Sequence, residues 1–256
     1  MKKFAYLWLA GCLIGMAPSL LKGQEYHPMA VEGAHWIVIC DLNQTLWRDW
    51  KYSFTIRGDT TVNGKYYKKV YREGFEFDEE TKRFSNKIIG ASLYGMMRDD
   101  TIQRKVYFIK VAPGHDRCPR DGEYLLFDFS AEAGDTLKWC DLDGLGVGVN
   151  FDGAARVDSI RHVNSQYFNS PRKALYTTML WTIYKGTDLA DIPVPIIEGF
   201  GYEIMGPFLD GSFLMDYCVG TNADCGLITS KISIQRPNLR VFPNPAAELL
   251  IIEGKG

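Results

Sequence analysis

Two carboxylates are the first candidates for acid–base chemistry. Glu198 lies in the run Ile196-Ile197-Glu198-Gly199-Phe200-Gly201-Tyr202, between an apolar entry and two glycines. Glycines there let backbone approach a ligand while the carboxyl binds or protonates it. The same pattern describes a turn or bulge in which Glu198 accepts backbone N–H bonds or pairs with a core arginine. Asp128, in Phe127-Asp128-Phe129-Ser130, is expected on the face opposite Leu125, Phe127 and Phe129. Facing each other at about 5–10 Å in a cleft, the two carboxylates would make a glycoside hydrolase pair. Apart, each is a turn-binding or solvent-side acid, and that is the default, because catalysis needs a partner group that the sequence does not identify.

Other constellations are weaker. Asp141, Asp143, Asn150 and Asp152 lie among glycines and offer the oxygen ligands calcium prefers, yet their spacing does not fit an EF-hand loop. His27, His35, His115 and His162 are scattered, and Cys-x-x-Cys is missing, so structural zinc is not expected. The run around Ser92, Gly90-Ala91-Ser92-Leu93-Tyr94-Gly95, misses the serine-hydrolase elbow by one residue. No phosphate loop or dinucleotide fingerprint occurs, and no cofactor is implied. Cys218 and Cys225 flank the polar turn Val219-Gly220-Thr221-Asn222-Ala223-Asp224 and are expected to staple a hairpin-like loop. Cys118 with Cys140 is a possible second pair, and Cys40 reads as a buried thiol.

The elements that must position these residues are strands. In Tyr52-Ser53-Phe54-Thr55-Ile56-Arg57, apolar and polar residues alternate with period two. Asn63-Gly64 is a strong hairpin signal, because both central positions of a type I′ turn need positive φ. Further strands are expected at 34–40, 104–111, 123–130, 136–139, 155–163, 174–184, 212–218 and 226–234, separated by Gly, Asp, Asn and Pro clusters. No amphipathic helix of three turns is apparent. The expected fold is all-β: an antiparallel β-sandwich or partly open barrel, followed by the start of a separate C-terminal β domain. Gly-Asp-Thr occurs at 58–60 and 134–136, each expected at a strand entrance. With 256 residues, 46% hydrophobic, one main domain is expected, and a net charge of −2 without a long basic run argues against a nucleic-acid partner.

Met1-Lys2-Lys3 followed by an apolar stretch reads as a secretory signal, with cleavage expected after Gly23. Within it, Leu9-Ala10-Gly11-Cys12 resembles a lipobox, so that lipidation at Cys12 is the alternative. No later stretch is long and apolar enough to span a bilayer as a helix. The division expected is residues 1–23 as signal, 24–235 as main domain and 236–256 as a distinct C-terminal segment. That segment opens on Val241-Phe242-Pro243-Asn244-Pro245-Ala246-Ala247-Glu248-Leu249-Leu250-Ile251-Ile252. Pro243 and Pro245 cannot donate to a sheet, which makes a stiff joint before a new apolar run.

This run resembles the first strand of the C-terminal sorting domain carried by cargo of the type IX secretion system of Bacteroidetes, of which about sixteen residues are present. Four blocks of the body, "YSFTIRGDTTVNGKYYKKVY", "MMRDDTIQRKVYFI", "EYLLFDFSAEAGDTLKW" and "IIEGFGYEIMGPF", are similar in that order to uncharacterised exported Bacteroidetes proteins ending in such a tail. The resemblance implies export through that machinery, a secreted or cell-surface location and a β fold, but no activity. Asp59-Thr60-Thr61, Asp100-Thr101-Ile102, Asp135-Thr136-Leu137 and Asp158-Ser159-Ile160 resemble the short O-glycosylation acceptors of such proteins.

Three functions fit. A non-enzymatic binding or adhesion-type domain would gather several of Trp47, Trp50, Tyr66, Trp181 and Tyr202 in a groove for a glycan or surface protein. A surface polysaccharide hydrolase would bring Glu198 and Asp128 into one cleft. A structural accessory component of the envelope would show a broad apolar patch.

Overall fold

The computed structural model describes residues 25–40, 50–111, 122–139, 153–179, 194–203, 206–208, 213–229, 240–242 and 251–253. The fold is all-β, as the alternation requires. A large sheet contains β1 (Ala34–Cys40), β2 (Trp50–Val62), β3 (Lys65–Asp78), β4 (Arg83–Asp100), β5 (Lys105–Lys110), β6 (Tyr124–Asp128), β12 (Phe213–Val219) and β13 (Ile228–Thr229). Its order is β12-β1-β2-β3-β4-β5-β6, antiparallel throughout, with β13 added in parallel to β4. The second sheet, β7 (Thr136–Trp139), β8 (Gly153–Ser165), β9 (Phe168–Met179), β10 (Val194–Ile197) and β11 (Gly201–Tyr202), has the order β11-β10-β9-β8-β7. A separate two-stranded ladder joins β14 (Arg240–Phe242) to β15 (Ile251–Glu253).

The main core lies between the two sheets. The large sheet contributes Trp36, Phe54, Ile56, Tyr94, Met97 and Phe108, and the second sheet contributes Val157, Leu175, Ile196 and Tyr202. Phe208 completes it: its ring meets those of Phe54, Tyr94 and Phe108 at centroid separations of 4.7, 5.1 and 4.9 Å. Such edge-to-face and tilted contacts each add about 0.5–1.5 kcal/mol beyond area burial. Asn63 and Gly64 take φ of 50° and 75°, the two positive values of the expected hairpin turn.

Two strands go beyond the alternation pattern. β4 was unexpected at 18 residues, because Gly90, Ala91 and Gly95 interrupt its apolar side. Gly95 is there for space: a Cβ would lie 2.2 Å from Phe108 Cζ and 2.5 Å from the Ile109 carbonyl. β10 is short and contains Pro195, which hides it from propensity. A register shift in the β5–β6 ladder corrects the face expected for Leu125. Val106 opposes Phe127 but Tyr107 opposes Leu125, so Leu126 is extra and Leu125 and Phe127 lie on different faces. Gly58 likewise sits in a bulge within β2, not at a strand entrance, whereas Gly134 does precede β7.

Strand directions divide the sandwich into two ends. At one end the connections are short: residues 63–64, 101–104, 129–135 and 166–167. From the other end leave the four-residue connection 79–82 and the longer stretches 41–49, 111–123, 140–152 and 180–193.

Phe208→Ala should cost about 3–5 kcal/mol, read by chemical denaturation, because it deletes the ring that three large-sheet aromatics share.

Candidate functional site

The segment Glu25–Val31 crosses the short-turn end of the sandwich without joining a ladder, so its N–H groups need side-chain acceptors. Glu198 and Asp99 supply them. Glu198 Oε1 accepts the His27 N–H at 3.0 Å. Asp99, near the end of β4, accepts the N–H groups of Met29 at 3.0 Å and Ala30 at 2.7 Å, and the Tyr26 hydroxyl at 2.6 Å. One carboxylate comes from each sheet, and Met29 between them is fully buried.

Glu198 itself is 0% exposed. Its glycines have local reasons: Gly199 and Gly201 take φ of 75° and 99°. A Cβ on Gly199 would meet Arg172 Nη1 at 2.5 Å and the His27 carbonyl at 2.9 Å. Burial raises the pKa of the Glu198 carboxyl, against the His27 hydrogen bond and the charges of Arg104, Lys173 and Arg172. Burial also raises that of Asp99.

Asp128 has other partners. Its Oδ1 accepts the Ser130 N–H and hydroxyl at 3.0 and 2.5 Å, and Oδ2 lies 3.3 Å from Lys105 Nζ. It lines a cleft of about 220 Å³ with Leu125, Leu126, Phe127, Leu137 and Ile196, between the facing edge strands β6 and β7. Glu198 is not part of that lining. The two carboxylates thus serve different local structures.

Of the aromatic candidates, Tyr202 is buried, while Trp50 and Tyr66 are 65% and 57% exposed. Trp50 opens β2, and Tyr66 pairs with Thr61 near its other end, about 36 Å away at 3.3 Å per residue. The expected common groove therefore does not form from these three. Trp47, Trp181, Asp141, Asp143, Asn150, Asp152, Cys12, Cys118, Cys140, Pro243, Asn244 and Pro245 lie outside the described residues, as does the Cys40 side chain. The disulfide Cys218–Cys225 is formed, with Cα atoms 5.7 Å apart. Among the described residues no His/Cys/Asp/Glu group is arranged to hold a metal, and no helix is long and apolar enough to cross a membrane. Of the Asp-Ser/Thr-apolar tripeptides, Asp100-Thr101-Ile102 occupies an exposed turn with Ile102 94% exposed. Asp59-Thr60-Thr61 and Asp158-Ser159-Ile160 lie within strands.

Two polar clusters escape sequence reasoning because their members are far apart in the chain. On the large sheet's outer face, Glu123 accepts Lys65 Nζ, Tyr67 Oη and Arg98 Nε at 2.5–2.6 Å. Arg98 stacks on Tyr107, 4.1 Å from the ring centroid. Partial burial opposes ionisation of Glu123, but those three hydrogen bonds outweigh it and hold the carboxyl down to about 2. The second cluster joins His35, Ser53, Thr55 and Glu73, each no more than 2% exposed. Thr55 Oγ1 is 3.0 Å from His35 Nδ1, 3.1 Å from Ser53 Oγ and 3.1 Å from Glu73 Oε2.

Comparison of the chain with protein-family models, curated proteins and solved structures returns no match.

Glu198→Gln keeps the acceptor for His27 N–H while removing a buried charge. It should leave the melting temperature equal or higher at pH 7, whereas Glu198→Ala should cost about 1–3 kcal/mol. The sign follows from linkage: a carboxyl whose folded pKa is raised loses stability as pH rises from its unfolded value, about 4.3, through the folded one. The benefit of Gln over Glu should therefore grow with pH across that window, measured by thermal denaturation.

Proposed function

We propose that this chain is an exported or cell-surface binding domain, non-enzymatic, that contacts a glycan or a surface protein through the end of the sandwich carrying the long connections. The observation that carries this reading is the asymmetry of the two ends. Rigid β scaffolds commonly present recognition surfaces on long connections gathered at one end. Here four stretches of 9–14 residues leave and re-enter the sheets, beside the four-residue turn 79–82. Trp50, Val111, Phe213 and Met215, each 47–65% exposed, stand on the strand ends that frame it.

Export is supported by the basic and apolar N-terminal run, by a disulfide that suits an oxidising compartment, and by the likeness of the tail to a type IX sorting strand. Lipidation at Cys12 is the alternative anchor. The hydrolase reading is supported less well: Asp128 lines a cleft, but Glu198 is sealed and occupied by the His27 N–H. An accessory role in an envelope assembly is the third reading, which the exposed apolar strand ends also serve.

The test is a thermal-shift panel of surface polysaccharides against the intact chain, with calcium and with chelator, followed by affinities of variants. Trp50→Ala and Phe213→Ser should weaken the binding found by about tenfold, or about 1.4 kcal/mol, with little change in stability. Tyr66→Ala, at the opposite end of β2, should not. Loss of binding in Tyr66→Ala alone would move the site, and release of reducing sugar from a polysaccharide would favour the hydrolase.

A further inference from the structure

The inner face of the large sheet continues past the core toward the start of β2. There the ladders pair Tyr52 with Gly74 and Gly74 with Gly90, and in the next row Phe54 with Arg72 and Arg72 with Ser92. Residues paired directly across a ladder share a face, so Tyr52, Arg72 and Ser92 stand on the same side as the core residue Phe54. Trp50 continues that side about 7 Å further along the strand. The sheet's other face is closed at this level: Ile37, Phe75 and Ile88 form a second small core covered by Leu227, on the segment that leaves the edge strand β12 and returns as β13 on β4.

Arg72 is held in place on the inner side by rings. Its guanidinium carbon lies 5.7 Å from the Tyr52 centroid and 6.0 Å from that of Tyr94, within the range of cation–π attraction. The residue is exposed, and among the described residues no carboxylate is bonded to it. The acids flanking it along β3 are engaged elsewhere: Glu73 holds Arg57, and Glu76 holds Lys87. Lys110, with Nζ 5.4 Å from the Tyr94 centroid, adds a second positive charge. Next to Arg72 the floor is bare backbone, because Gly74 and Gly90 face each other and a Cβ on Gly90 would meet nothing within 4 Å. The Gly90-Ala91-Ser92 run is therefore extended strand and no nucleophile elbow, and Ser92 is an exposed hydroxyl paired with Arg72.

We infer that this face binds a saccharide bearing a carboxylate, a uronate, with the carboxylate on Arg72 and the sugar ring over the glycine floor. The inference rests on the reading of this end as a glycan-binding surface and names its ligand class. A guanidinium fork matches a planar carboxylate with two parallel hydrogen bonds, and a fork already stacked on rings loses little freedom in making them. A sugar ring is flat enough for a floor without Cβ atoms. Its C–H face covers an aromatic ring such as Tyr52 or Trp50, and its hydroxyl edge meets Ser92, which both donates and accepts.

The test is calorimetric titration of the intact chain with oligogalacturonate, with its methyl ester, which keeps the rings and loses the charge, and with polyglutamate, which keeps the charge and lacks the rings. The acid should bind about tenfold or more tightly than either control. Arg72→Ala should abolish the preference over the ester, and Arg72→Lys, which keeps the charge without the fork, should recover only part of it. Gly90→Val, whose side chain would stand in the open space of the floor, should weaken acid and ester alike. Equal affinity for acid and ester, a preference that survives Arg72→Ala, polyglutamate binding as tight as the acid, or no binding of oligogalacturonate overturns the inference. If Trp50→Ala then still weakens a neutral polysaccharide, the glycan-binding reading of this end stands without the uronate; if no polysaccharide binds, the glycan form of that reading falls with it.

Discussion

Everything at the closed end of this sandwich depends on satisfying the backbone of one crossing segment. Tyr26 to Ala30 pass over the gap between two sheets, where no strand offers carbonyls to their N–H groups. A buried N–H left without an acceptor costs about 1–3 kcal/mol, so a carboxylate from each sheet takes the place of a ladder: Asp99 from β4 and Glu198 from the end of β10. Because the same five residues bind both, the segment fixes the spacing of the sheets. Met29 then fills the space between them, against Gly201.

That use of Glu198 accounts for the unusual Glu-Gly-Phe-Gly run. The glycines admit the crossing backbone and the Arg172 guanidinium, and the aromatic between them is buried, where Phe200 stacks with Tyr167 and meets Tyr217 edge-on. The carboxyl that first drew attention holds a crossing backbone, at the end where the connections are shortest. The recognition surface proposed above lies at the opposite end.

Much of the fold was legible because it rests on local rules. Period-two alternation gave β1, β2, β3 and β5, Asn63-Gly64 gave a hairpin, and Cys218 with Cys225 gave the staple. β4 was not legible, since the reason for Gly95 is a Phe108 ring on a neighbouring strand. Nor was the face of Leu125, which depends on a single extra residue in a ladder. The polar clusters were hidden for the same reason. His35, Thr55 and Glu73 become neighbours only through the β1–β2–β3 register, and a lone histidine in an apolar run gives no sign of it. Glu198 stands out in the sequence by its flanking glycines, with binding of backbone donors among its alternatives; its partner, a backbone N–H 171 residues away, was beyond any spacing rule.

The return of the chain from β12 to β4 also decides how the domain would bear tension. A pull on residues beyond Thr229 does not reach the edge of the sheet first. It loads the two-residue parallel ladder on β4, then the seat of Leu227, and then a covalent loop between cysteines seven positions apart that cannot lengthen. Only after the first two have yielded does force arrive at β12, the strand most easily peeled. A domain loaded through the residues beyond Thr229 would thus have a sacrificial link in series with its load, one that gives way and can re-form while the antiparallel ladders of both sheets stay paired.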